Sequence, residues 1–157
     1  MIKLKSATPR FGIQFVRAPL FGRCVVDGLT TVESHFGPKE TLDRLEGDVK
    51  AKGLTVFARI DHASGAAAAG MALSPTAVLI FGNARGGTPL MQANQLIGLD
   101  LPLKVLVWQD ASGKTALSYA DPTVLAKRYD LPAETAAQVT TLSGVLRALT
   151  AKAAGTS

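Results

Sequence analysis

The sequence predicts an α+β domain, with helices packed on a mainly antiparallel sheet, and three observations carry that expectation. Strand-like runs and amphipathic helical stretches follow one another in the order β-α-β-(α)-β-α-β-β-α-α, which lacks the strict alternation of a parallel α/β fold. One pair of runs is joined by the short turn Asp110-Ala111-Ser112-Gly113, a hairpin signature. The chain has 157 residues, 47% hydrophobic and 18% charged. That suits one domain able to bury roughly two-thirds of its unfolded surface without disulfide staples.

The first strand ends at Thr31-Val32-Glu33-Ser34, continuing from Val25-Val26. Gly37-Pro38 then opens a helix, with proline at the first position, where its missing N–H costs nothing. Leu42, Leu45 and Val49 form its buried stripe, and Gly53 stops it. Glu46/Lys50 and Asp48/Lys52 are acid-before-base pairs four residues apart on its wet face. From Leu54 the period becomes two: Leu54, Val56, Ala58 and Ile60 are expected to face the helix, and Thr55, Phe57, Arg59 and Asp61 to face away. The small-residue segment 62–70 is compatible with a short helix. Residues 76–81 are apolar throughout and read as a strand buried on both faces.

Thr88-Pro89 is expected to cap the next helix, with Leu90, Ala93 and Ile97 inward and Gly98 at its end. Residues 103–108 and 114–119 form the hairpin around the 110–113 turn. Asp121-Pro122 caps a short helix, and Pro132 opens a longer one whose Val139, Leu142, Leu146 and Leu149 make an apolar stripe.

Residues 1–28 stand apart as a basic N-terminal extension or leader ahead of a single domain at 29–153. Lys3, Lys5, Arg10, Arg17 and Arg23 carry the whole net charge of +5, and the rest of the chain is balanced. A nucleic-acid surface needs basic residues spread over the fold, so no nucleic-acid partner is expected. No apolar run approaches the ~20 residues of a bilayer span, so no integral membrane association is expected. The lone Cys24 allows no internal disulfide, which makes the cytoplasm the default location. The alternative is that residues 1–28 act as a targeting leader.

Two places could carry chemistry. Gly82-Asn83-Ala84-Arg85-Gly86-Gly87-Thr88-Pro89 runs from a strand into a helix start, where free N–H groups favour anions. It lacks the lysine and the following Ser/Thr of a nucleotide-hydrolase loop. A plain turn and an anion or ligand cradle both fit it. Asp61-His62 is the candidate acid/base pair, although adjacent strand residues point to opposite faces, and a purely structural role fits as well. One Cys and two well-separated His (His35 and His62) make no metal site, and no Gly-x-Ser-x-Gly elbow is present. Haem held by His62 with Met71 or Met91 fits the inventory, but nothing marks a tetrapyrrole pocket, and no cofactor is expected.

Ordered motifs then carry a resemblance. Ile60-Asp61-His62-Ala63, Leu79-Ile80-Phe81-Gly82-Asn83, Gly87-Thr88-Pro89-Leu90-Met91-Gln92, Leu101-Pro102-Leu103-Lys104, Trp108-Gln109-Asp110 and Tyr119 followed by Asp121-Pro122 resemble the domain-of-unknown-function 302 family over residues 30–129. The resemblance implies a curved antiparallel sheet similar to one TATA-binding-protein-like half, and a homodimer. It implies no reaction. Ala84 and Ala120 depart from the family pattern, which often has proline and asparagine there, and the leader has no counterpart in it. The expected function is a homodimeric domain binding a small molecule, with an anion as one option, through His62, Gly82, Asn83, Arg85, Thr88 and Met91. The alternatives are an enzyme using His62 and Asp61 as acid/base groups on a small metabolite, and a structural or protein-interaction module.

Overall fold

The computed structural model describes residues 27–156. Residues 1–26 of the expected leader, with Cys24 and the Val25-Val26 start of the first strand, lie outside the described residues. The strands are β1 (Leu29–Ser34), β2 (Thr55–Asp61), β3 (Thr76–Gly82), β4 (Leu103–Gln109) and β5 (Thr115–Ala120). They form one sheet in the order β1-β5-β4-β3-β2, with every neighbouring pair antiparallel. The helices are α1 (Pro38–Ala51), α2 (His62–Ala68), α3 (Ala84–Ala93), α4 (Pro122–Arg128) and α5 (Ala136–Ala154). Short 3-10 turns at Gln95–Leu99 and Ala133–Thr135 follow α3 and precede α5.

α1 and α5 cover one face of the sheet. Leu42, Leu45 and Val49 of α1 and Leu146, Leu149 and Ala153 of α5 close over Leu79, Phe81, Val105, Val107 and Leu117. Helical spacing puts each helix's apolar residues on one stripe, and strand alternation puts every second residue of β3, β4 and β5 against it. A smaller cluster of Leu90, Ile97, Leu125 and Val139 ties α3, the 3-10 turn and α4 to the start of α5. Arg44 stacks on the Phe36 ring, 4.1 Å from its centroid, and donates to the carbonyls of Lys152 and Ala153, which caps the end of α5.

The opposite face carries no helix from α1 or α5. Val78, Ile80, Leu106 and Trp108 are only half-buried there, so β3 is fully buried on one face rather than on both. The indole N–H of Trp108 donates to Ser118 Oγ (2.9 Å), which also bonds Thr31 Oγ1 (2.8 Å), a polar row across three strands.

β2 corrects the sequence-based assignment of faces. Its register slips between Val56 and Ala58, so Phe57 is an extra residue in a β-bulge. Beyond the bulge the alternation inverts: Arg59 pairs with Leu79 on the helix side, while Ala58 and Ile60 turn to the open face. Arg59 Nη1 then reaches Asp43 (2.7 Å) and Glu46 (3.0 Å) of α1. Lys39 first and Arg59 second hold the Asp43 carboxyl below its usual range, and Lys50 then Arg59 do the same for Glu46. Of the pairs expected on α1, Lys50–Glu46 forms (2.6 Å), whereas Asp48 pairs with Lys152 of α5.

Depressed carboxyl pKa values stabilise the fold above the unfolded values, here about 4.5 and 3.8, and that contribution is lost as pH falls through the lower folded values. Arg59→Met should therefore narrow the gap in unfolding free energy between pH 7 and pH 3, by no more than about 1 kcal/mol for such exposed pairs. In 1 M salt, wild type and variant should converge. An unchanged gap in thermal unfolding at low salt would remove the ion pairs from the acid response.

Candidate functional site

The expected helix start moves five residues toward the N-terminus. Asn83, in extended backbone, is the N-cap of α3, and its Oδ1 accepts the Gly86 N–H at 2.7 Å. Thr88-Pro89 is therefore not the cap but lies inside the helix. Pro89 lacks the N–H that would bond the Arg85 carbonyl four residues back. Gln138 of α5 fills the gap: its Nε2 lies 3.4 Å from Arg85 O and 3.2 Å from Gly86 O. Gly86 packs closely as well, since a Cβ there would stand 3.1 Å from Asn83 Oδ1 and 3.3 Å from Leu142.

This junction opens on a cavity of about 570 Å³. Residues 82–88 and Met91 form one wall, Gln138, Thr141, Leu142 and Val145 of α5 a second, and Phe57 with Leu101-Pro102-Leu103 a third. The bulge supplies Phe57. Between it and Pro102 lies Gly82, where a Cβ would meet Pro102 at 3.7 Å and the Phe57 ring at 3.9 Å. The walls are mainly apolar, with Asn83, Arg85, Thr88, Gln138 and Thr141 as the polar side chains. A volume in the range of small-molecule sites, with apolar walls and a few polar groups, suits an organic ligand.

Of the sequence-predicted site residues, Gly82, Asn83, Arg85, Thr88 and Met91 all line this cavity. His62 does not. Antiparallel pairing joins Thr55 to Gly82 and Asp61 to Ala77, so His62 and the 82–88 loop occupy opposite ends of the same strand pair. Five residue steps separate those ends, roughly 17 Å. His62 is exposed at the first position of α2, and Asp61 is that helix's N-cap, accepting the Ser64 N–H (2.9 Å) and hydroxyl (2.8 Å). Those bonds, the backbone N–H first, hold the Asp61 carboxyl below its usual range, which makes it a weak base. Asp61 thus has a capping role. Met71 is exposed, and of His62, Met71 and Met91 only Met91 lines this cavity. Among the described residues no group of three His, Cys, Asp or Glu could hold a metal ion.

Sequence reasoning missed Phe57, Leu101-Pro102, Gln138, Thr141 and Val145. The spacing of Gln138, Thr141 and Val145 does mark a second face on α5, beside its core stripe. Which element that face meets is not written in the helix.

A family model described as "Domain of unknown function DUF302" matches residues 30–149. The chain is 46% identical over 115 residues to "Fluoride-specific ion channel FluC 1" of Brucella suis biovar 1, covering 73% of this chain and 45% of that protein. It is equally identical over 115 residues to "Fluoride-specific ion channel FluC 2" of Brucella melitensis biotype 1, covering 43% of that protein. The chain thus spans less than half the length of these curated relatives. Among solved structures it is similar to an uncharacterized conserved protein DUF302 from Bacillus stearothermophilus, with a TM-score of 0.72 and 25% identity, over 80% of this chain and 98% of that one. Among the described residues no helix is long and apolar enough to cross a membrane.

Proposed function

This chain belongs to the DUF302 family, a domain of unknown function, and we propose that it is a small-molecule-binding domain whose ligand sits between the start of α3, the second face of α5 and the bulge of β2. One observation carries the reading: the cavity of about 570 Å³ gathers five of the six ligand residues expected from sequence, together with an aromatic wall. An acid/base enzyme is disfavoured, because Asp61 is engaged in capping and His62 lies off the cavity. A homodimer is part of the proposal, with light scattering on the purified protein as its check.

Native mass spectrometry of protein purified from its own host tests the ligand reading. We expect a bound small molecule that Thr141→Trp expels. Thr141 is exposed on the cavity side of α5, so this change should leave stability within about 0.5 kcal/mol. A clean apo mass, with no thermal shift from a metabolite extract, would overturn the reading.

The channel relatives favour a second reading for the same cavity. The matched segment is nearly the whole of one solved chain and under half of the fluoride channels. This supports a module that stands alone or is joined to a channel, where ligand binding would modulate ion flow. Fluoride efflux from cells expressing a channel of that kind should change when the cavity residue matching Thr141 is replaced by Trp.

A further inference from the structure

The cavity's lining narrows the class of ligand. Arg85 is its single ionisable residue, and no Asp or Glu stands among the others. Arg85 is exposed, so its guanidinium stands at the rim, and among the described residues its side chain has no ion pair or hydrogen bond. Most of the remaining lining is apolar, with Phe57, Met91, Leu101, Leu142 and Val145 prominent, and its other polar side chains, Asn83, Thr88, Gln138 and Thr141, are uncharged. A polyphosphate or sugar needs many more polar partners than these walls supply, and a bare halide would leave the apolar surface wet. One cation above an apolar hollow suits a single charged head on an apolar body.

We propose that the cavity takes an amphipathic monoanion, a medium-chain or aromatic carboxylate, with its head on Arg85 and its body along Phe57, Met91, Leu101 and Leu142. A carboxylate matches the guanidinium fork with two parallel hydrogen bonds, and the contact gains strength beside low-dielectric walls. The first turn of α3 adds partial positive charge at the same rim. This inference rests on the reading of the cavity as a ligand site.

The test uses decanoate and its uncharged counterpart decan-1-ol, titrated into wild type, Arg85→Gln and Thr141→Trp and followed by calorimetry and thermal shift. Decanoate should bind wild type at least tenfold tighter than decan-1-ol, Arg85→Gln should erase that preference, and Thr141→Trp should weaken both probes. Equal binding of the two probes to wild type, blocked by Thr141→Trp, would overturn the carboxylate class and leave the cavity reading standing. Binding of neither probe, or insensitivity to Thr141→Trp, together with a clean native mass, would overturn both. Sodium fluoride serves as the inorganic arm: a stabilisation equal to that by decanoate and lost in Arg85→Gln would mean a simple anion site and would overturn the amphiphile.

Discussion

Replacing Phe81 with Ala should destabilise the fold by about 3–5 kcal/mol, the range for a fully buried aromatic. Phe81 is completely buried and is the largest such side chain. It lies on the helix side of β3, paired with Val56 of β2 and Leu103 of β4, in the same cluster as Leu45 and Val49 of α1 and Leu146 and Leu149 of α5. A hole there takes contacts from both covering helices at once, and close-packed surroundings collapse only partly into it. For a chain of this size Tm should fall by roughly 10–15 °C. Chemical denaturation should show a lower midpoint with an unchanged slope, as expected for a lost core contact. Ile60→Ala is the matched control. Ile60 is 43% exposed on the open face, so its removal should cost below about 1 kcal/mol. Equal losses from the two changes would contradict the placement of the core. Phe81 also leads directly into Gly82-Asn83, so the variant should loosen the cavity wall as well.

The second large effect concerns the patch between α5 and α3. Gln138→Ala should destabilise by about 1–2 kcal/mol, because it strips the donor from two helix carbonyls, one of which has lost its usual helix donor four residues on to Pro89. Pro89→Ala restores an N–H four residues after Arg85. In that background, removal of Gln138 should cost markedly less, with a coupling of about 0.5–2 kcal/mol in the double-mutant cycle. Strict additivity by denaturant unfolding would mean that Gln138 does not replace the missing helix bond. The cycle matters for function because Gln138 also lines the cavity. The residue that repairs the helix is one the ligand would meet.

Most of the fold was legible because short-range rules dominate it. The helix from Pro38, the hairpin turn at 110–113, the Asp121 cap and the stripe of α5 each follow from spacing and capping chemistry within a few residues. Two of the misreadings arose where a strong local signal was overruled by a distant residue. Thr88-Pro89 carries a strong helix-start signal, yet Asn83 competes with it five residues earlier and wins, because Gln138 makes an interior proline tolerable. In β2 the alternation of apolar residues argued for Ala58 and Ile60 inward, yet the bulge puts Arg59 there, where the acids of α1 receive it. Neither Gln138 nor Asp43 is near in sequence to the position it decides.

The site divides along the same line. The residues themselves name the Gly82-to-Thr88 segment as a strand-to-helix junction with free donors, and they exclude a Walker-type loop, a zinc site and a serine elbow by the parts they lack. They also place the net positive charge in the leader. Only the tertiary structure separates His62 from that junction, because antiparallel pairing carries the two ends of β3 apart. Only it adds Phe57, Pro102 and the second face of α5 as walls. A motif is a property of neighbours along the chain, whereas a cavity is made by surfaces from distant segments, and its shape depends on register and packing that no single segment contains.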